Sequence, residues 1–159
     1  VTRWLRLLGC DVAYVMDGSD EELLRISEAE GRTILTSDVQ LYRRAVGKGL
    51  NAYLLKTRDS QAVRLAKLSK RFDIRLEVDV EQCRCPVCNR PLREAARADV
   101  EGLVPPTSLV MYDAFWACTN EACRKVYWQG SHWKKISLLL NEASHILSNM
   151  AREDDRDDR

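Results

Sequence analysis

The sequence predicts an α/β fold: a parallel-sheet domain, then a small cysteine-held module, then a C-terminal helix. Three observations carry this. Short, nearly continuous apolar runs alternate with amphipathic stretches up to residue 80, as in strands covered on both faces and joined by helical crossovers. Two close cysteine pairs stand about thirty residues apart beyond that point. Leu139, Ala143, Ile146, Leu147 and Met150 then recur with helical spacing.

The elements follow in order. Trp4, Leu5, Leu7 and Leu8 form an apolar helical face closed by Gly9, so the chain enters in a helix with no strand before it. A parallel sheet ordinarily begins with a strand, which predicts that one strand and its turn lie upstream of Val1. Val12-Ala-Tyr-Val15, Thr33-Ile-Leu-Thr36 and Ala52-Tyr-Leu-Leu55 read as strands. Between them, Leu23, Leu24, Ile26 and Ala29 share a helical face preceded by the capping-box pattern Ser19-x-x-Glu22. Leu41, Tyr42, Ala45 and Val46 mark a second helix ended by Gly47-Lys48-Gly49, and Val63, Leu65, Ala66, Leu68 and Phe72 a third starting near Asp59-Ser60. These assignments divide the chain into an α/β domain (1–80), a cysteine module (81–135), a helix (136–151) and a charged, disordered end (152–159).

The near-zero net charge of +1 hides an asymmetry: residues 1–135 carry +4 and the remainder −3. A weakly basic body permits a nucleic-acid partner without requiring one. The longest aliphatic cluster, Leu138-Leu139-Leu140, is far short of a membrane span, so no membrane partner is expected. The opening residues lack the apolar core and cleavage site of a secretory signal, which points to a reducing, cytoplasmic setting and to cysteines serving as ligands or thiols.

Cys85-Pro-Val-Cys88 and Cys118-Thr-Asn-Glu-Ala-Cys123 have the arrangement of a zinc ribbon, in which two turns each present two thiolates to one tetrahedral ion. Four thiolates close the coordination shell, so such a zinc is structural, contributing on the order of 10 kcal/mol to folding. The alternative is two disulfides or buried thiols. Cys83 offers a third candidate beside Cys85 and Cys88, although the two-residue spacing favours the latter pair. Cys10 reads as a small buried hydrophobe.

Lys125, Trp128, His132, Trp133, Lys134 and Lys135 lie in one run of interleaved aromatics and cations. Such a run can stack bases and pair with phosphates, or its rings can pack the module instead. A general-base role for His132 is a lesser possibility, and His145 falls on the polar face of the last helix. Asp38 follows the run 33–37 at the C-terminal end of a predicted strand, the edge where open α/β sheets bind ligands. It also suits a plain helix N-cap. Asp20 and Glu21 begin the preceding helix and are placed on the same edge, or else supply favourable charge to a first turn. Carboxylates converging there can hold Mg²⁺ or Mn²⁺ and clamp a phosphodiester.

Taken together, Arg3-Trp-Leu-Arg-Leu-Leu-Gly9, Asp20-Glu-Glu-Leu-Leu24, Gly31-Arg-Thr-Ile-Leu-Thr-Ser-Asp38, Cys85-Pro-Val-Cys-Asn89, Val104-Pro-Pro106 and Val126-Tyr-Trp-Gln-Gly-Ser-His-Trp133 resemble the Mut-seven C-terminal RNase family. The resemblance covers Thr2 to about Lys135. It implies a PIN-like nuclease domain fused to a zinc ribbon, acting on RNA through a divalent metal. Asp38 matches the aspartate of the family's Thr-Arg-Asp motif, with Ser37 in place of the arginine; Asp20 matches an acid at the start of the second helix, with Glu21 beside it. The family's first aspartate, at the end of its first strand, has no counterpart here. Three functions follow as expectations. The first is a metal-dependent endoribonuclease using Asp20 and Asp38. The second is a noncatalytic RNA-binding adaptor, with ribosomal RNA or the ribosome among its partners. The third, disfavoured by the elaborate ribbon, is a PIN-type toxin.

Overall fold

A computed structural model describes the backbone of residues 1–157 and the side chains of residues 1–153. Two compact units emerge: Tyr14–Ser60, and Val1–Ala13 together with the chain from Gln61 onward.

In the Tyr14–Ser60 unit, α2 (Asp20–Glu30) begins where Ser19 Oγ accepts the backbone N–H of Glu22 at 3.2 Å, the first half of the capping box. It ends at Gly31, whose φ of 65° is a left-handed conformation that glycine adopts without a Cβ penalty. Then β1 (Ile34–Thr36), α3 (Val39–Gly47) and β2 (Ala52–Leu54) form a β-α-β crossover. The strands pair in parallel with Ile34 opposite Ala52 and Thr36 opposite Leu54. Leu24, Ile34, Leu41 and Ala45 form the core, backed by Leu23, Leu50 and Ala52. The mixed α/β character and the parallel pairing are those expected from the alternating runs.

The other unit starts with α1 (Thr2–Leu7) and contains α4 (Gln61–Phe72), which packs against the long α7 (Trp133–Asp157). Between them in the chain comes an antiparallel sheet of β3 (Leu92–Ala95), β4 (Phe115–Cys118) and β5 (Val126–Tyr127), with α5 (Arg97–Val100) and α6 (Pro106–Met111) inserted after β3. Ala95, Val100, Val104 and Phe115 make its core, joined by Trp128 and Tyr112.

Two expectations are corrected. Val12–Val15 forms no strand. The polar backbone groups of Val12 are taken by side chains, its N–H by Asn89 Oδ1 and its carbonyl by Arg6. The last helix starts at Trp133 and runs to Asp157, into the charged end read as disordered. Ala151, Arg152 and Glu153 are good helix formers and continue it; residues 158–159 of that end fall outside the described residues. Among the described residues no helix is long and apolar enough to cross a membrane.

Candidate metal centre and acidic residues

Two tight turns build the cysteine cluster. In the first, Asn89 N–H donates to the carbonyl of Cys85 (2.8 Å) and Cys85 N–H to that of Arg90 (2.7 Å). In the second, Cys123 N–H donates to the carbonyl of Asn120 (2.9 Å) and Cys118 N–H to that of Lys125 (2.9 Å). Each turn closes on a residue with positive φ directly after its second cysteine, Asn89 at 70° and Arg124 at 49°. Asparagine tolerates that conformation better than most side chains.

The sulfur atoms of Cys85, Cys88, Cys118 and Cys123 all lie within 4.8 Å of one another, with Cys85 to Cys123 at 3.8 Å and Cys88 to Cys118 at 3.3 Å. A disulfide needs about 2.05 Å, and all six cysteines are free. Four thiolates at about 2.3 Å from a tetrahedral zinc stand roughly 3.8 Å apart, so the cluster fits that ion. Burial and then the neighbouring thiols push Cys118 and Cys123 above the ordinary thiol range, while the Arg90 backbone N–H and the other thiols outweigh burial at Cys88 and bring it to about 7. Four crowded thiols cannot all ionise without a cation to share. The Tyr127 hydroxyl lies 3.1 Å from Cys85 Sγ, and Asn120 N–H donates to Cys118 Sγ at 3.4 Å, both suited to hold a thiolate in place.

Cys83 stands outside the cluster. Its buried thiol donates to the Leu7 carbonyl at 2.9 Å, and burial followed by the Asp79 charge pushes its pKa to about 11. Sequence reasoning missed the residues that tie the first turn to α1. The Arg6 side chain, 6% exposed, donates to the carbonyls of Pro86 (3.0 Å), Val87 (2.9 Å) and Val12 (2.7 and 3.0 Å). Asn89 Nδ2 donates to Asp11 at 2.6 Å while its Oδ1 accepts from Val12. A lone arginine amid the apolar helix of residues 4–8 is the one signal that could have drawn attention.

The acidic residues are arranged differently. Asp38 caps α3, its Oδ1 accepting the N–H groups of Gln40 (2.6 Å) and Leu41 (3.2 Å). Asp20 and Glu21 both accept from Arg44, in the last turn of α3, at 2.9 and 2.5 Å. That guanidinium holds the Glu21 carboxyl below its ordinary range. Among the described residues, the cysteine cluster is the group of three or more such ligands that comes together; Asp20, Glu21 and Asp38 are not so gathered.

In the aromatic and basic run, Trp128 packs into the sheet core, its ring 6.4 Å from that of Phe115. His132 meets the Trp128 edge at 6.4 Å. A Cβ on buried Gly130 would come within 2.9 Å of Trp128 Nε1, so glycine lets the indole lie close. Lys125, Lys134 and Lys135 are exposed, and Trp133 is half-buried.

Residues 1–140 match the family model described as Mut7-C RNAse domain. The chain belongs to this family. The Mut7-C match spans both units and includes the four cysteines, Asp20, Glu21 and Asp38. No curated protein and no solved structure matches the chain.

Proposed function

We propose that this Mut7-C chain is a PIN-like, metal-dependent endoribonuclease domain that hydrolyses RNA phosphodiesters, with a structural zinc ribbon. The observation that carries the reading is the RNase-domain family match over residues 1–140. Asp38 supports it, standing two residues beyond β1 at the C-terminal edge of the parallel strands. Asp20, Glu21 and Asp38 are the residues on which a Mg²⁺ or Mn²⁺ site would be built. Binding there requires Arg44 to leave Asp20 and Glu21; these ion pairs are solvent-exposed and contribute little. The RNA contacts are assigned to Lys125, Lys134 and Lys135, with His132 and Trp133 alongside and Trp128 supporting them from the core. Lys134 and Lys135 occupy the first turn of α7, where helix dipole and side chains add their positive potentials. The setting is cytoplasmic, with RNA as the partner.

One observation favours a second reading, a noncatalytic RNA-binding adaptor, with the ribosome as one setting: Arg44 engages two of the three carboxylates. Incubation of end-labelled RNA with Mn²⁺ decides between them. The nuclease reading expects internal cleavage that depends on metal and falls at least a hundredfold in Asp38→Asn, which keeps the cap and loses the charge. Binding without cleavage, unaltered by Asp38→Asn, selects the adaptor.

A further inference from the structure

One face of the three-stranded sheet carries a cavity of about 520 Å³ that borders the cysteine cluster at Cys118 and Asn120 and includes none of Asp20, Glu21 and Asp38. Its floor follows from strand register. Arg93 stands opposite Ala117, and Ala117 opposite Val126, so these side chains share a face with Ala95. Ala117 and Val126, both half-buried, make a floor of small apolar groups, and the exposed Leu103 also lines the cavity. Small side chains there leave room for something flat to lie on the sheet, and the volume is in the range of small-molecule sites.

Four charged residues line the same cavity, Arg93 and Arg124 together with Asp99 and Glu121. Among the described residues none of the four makes a side-chain hydrogen bond or ion pair, with each other or with anything else. Two cations and two carboxylates around an apolar floor are complementary to a ligand with three parts: an anionic group, a planar ring and hydrogen-bond donors on the ring edge. A nucleotide has this constitution.

We propose that this cavity takes one unstacked nucleotide of an RNA strand, its phosphate on Arg93 and Arg124 and its base on the small-residue floor. Single-stranded RNA is recognised by splaying out a base and reading its edge. A carboxylate accepts from an exocyclic amino group, as on cytosine. Uracil presents a carbonyl oxygen at that position and would face Asp99 or Glu121 acceptor to acceptor. The site therefore selects amino-bearing bases. This inference rests on the RNA reading above and adds to it a base preference.

The test uses the full chain and fluorescence anisotropy with hexamers of cytidylate and of uridylate, which carry equal charge. The unaltered protein should bind the cytidylate hexamer about fivefold or more tightly. Asp99→Ala with Glu121→Ala should erase that preference. Arg93→Ala with Arg124→Gly should weaken both hexamers and lower the salt slope; glycine at 124 suits the positive φ there. Zinc content verifies that the variants fold. Equal affinity for the two hexamers overturns the pocket while leaving RNA binding intact, and that comparison needs no variant. Failure to bind either hexamer or longer RNA removes the RNA reading and the pocket with it.

Discussion

The two compact units are held together by different means, and the difference governs how their polar residues are used. The Tyr14–Ser60 unit relies on an apolar cluster around Leu24, Ile34, Leu41 and Ala45 beneath a two-stranded parallel sheet. Its acidic residues serve that architecture one by one, Asp38 as a cap and Asp20 and Glu21 as partners of Arg44. In the other unit, four cysteines from segments thirty residues apart come together, a buried arginine of the N-terminal helix bonds to the turn that presents two of them, and half-buried Asn89 of that turn bonds to Asp11 and Val12. Convergence of ligands is therefore a property of the cysteine module. The acidic residues are dispersed because each already has a structural partner.

Removing the metal should break this comparison most visibly. A structural zinc contributes on the order of 10 kcal/mol in small modules, far more than the short three-stranded sheet can supply. The purified protein should contain one zinc per chain, and a strong chelator should abolish the near-ultraviolet circular dichroism of the Trp128 environment. Cys83→Ala should leave the zinc content unchanged, because that thiol is bonded to Leu7. Retained tertiary structure after chelation, or zinc lost from Cys83→Ala, would contradict the assignment.

The next largest effect is expected at Arg6. Arg6→Met leaves the carbonyls of Val12, Pro86 and Val87 without their charged donor, at a cost of about 3 kcal/mol. Because two of those carbonyls belong to the first cysteine turn, the variant should also release zinc at a lower chelator concentration. A destabilised protein with unchanged zinc retention would show that α1 packs on the turn without supporting the ligands.

Arg6 also marks where the sequence stops being informative. The cysteine cluster is legible because a turn that can hold a metal must present two thiolates within a few residues, as Cys85 with Cys88 and Cys118 with Cys123 do. The Ser19 cap, α3 and the β1–β2 pair are legible because caps and apolar periodicity are local signals. Arg6 bonds to carbonyls eighty residues away, and no local pattern announces that. Val12–Val15 has strand composition, yet whether it pairs depends on a neighbour, and at Val12 the backbone groups go to Asn89 and Arg6 instead. The helices α5 and α6 are too short for their periodicity to show. For Asp38 the sequence offered both a cap and a ligand; the cap is what the geometry displays, and the ligand role remains proposed.

A smaller effect separates those two roles. Asp38→Ala should lower stability by about 1 kcal/mol by removing the acceptor for Gln40 and Leu41, whereas Asp38→Asn should change it by only a few tenths. Urea midpoints measure both. Equal losses would mean that the negative charge of Asp38, more than its cap geometry, stabilises α3.

The smallest effect is expected at Arg44, and it bears on whether the acidic residues can be released for another use. Glu21 is fully exposed, and the Arg44 hydrogen bond holds its carboxyl below the ordinary glutamate range. A depressed folded-state pKa contributes stability above the unfolded-state value and loses it as the pH falls through the folded-state value. The small stability difference between the unaltered protein and Arg44→Ala should therefore be present near neutrality, shrink under acid conditions below the usual glutamate pKa, and fade in high salt. Thermal melts across that range measure it. If the substitution lowers stability equally at every pH, Arg44 acts by packing its stem and the carboxylates were never constrained. If it behaves as an ion pair, the same variant should bind Mn²⁺ more tightly than the unaltered protein, since Asp20 and Glu21 then stand unpartnered. Unchanged Mn²⁺ binding would show that freeing the two carboxylates is not enough to make a metal site with Asp38.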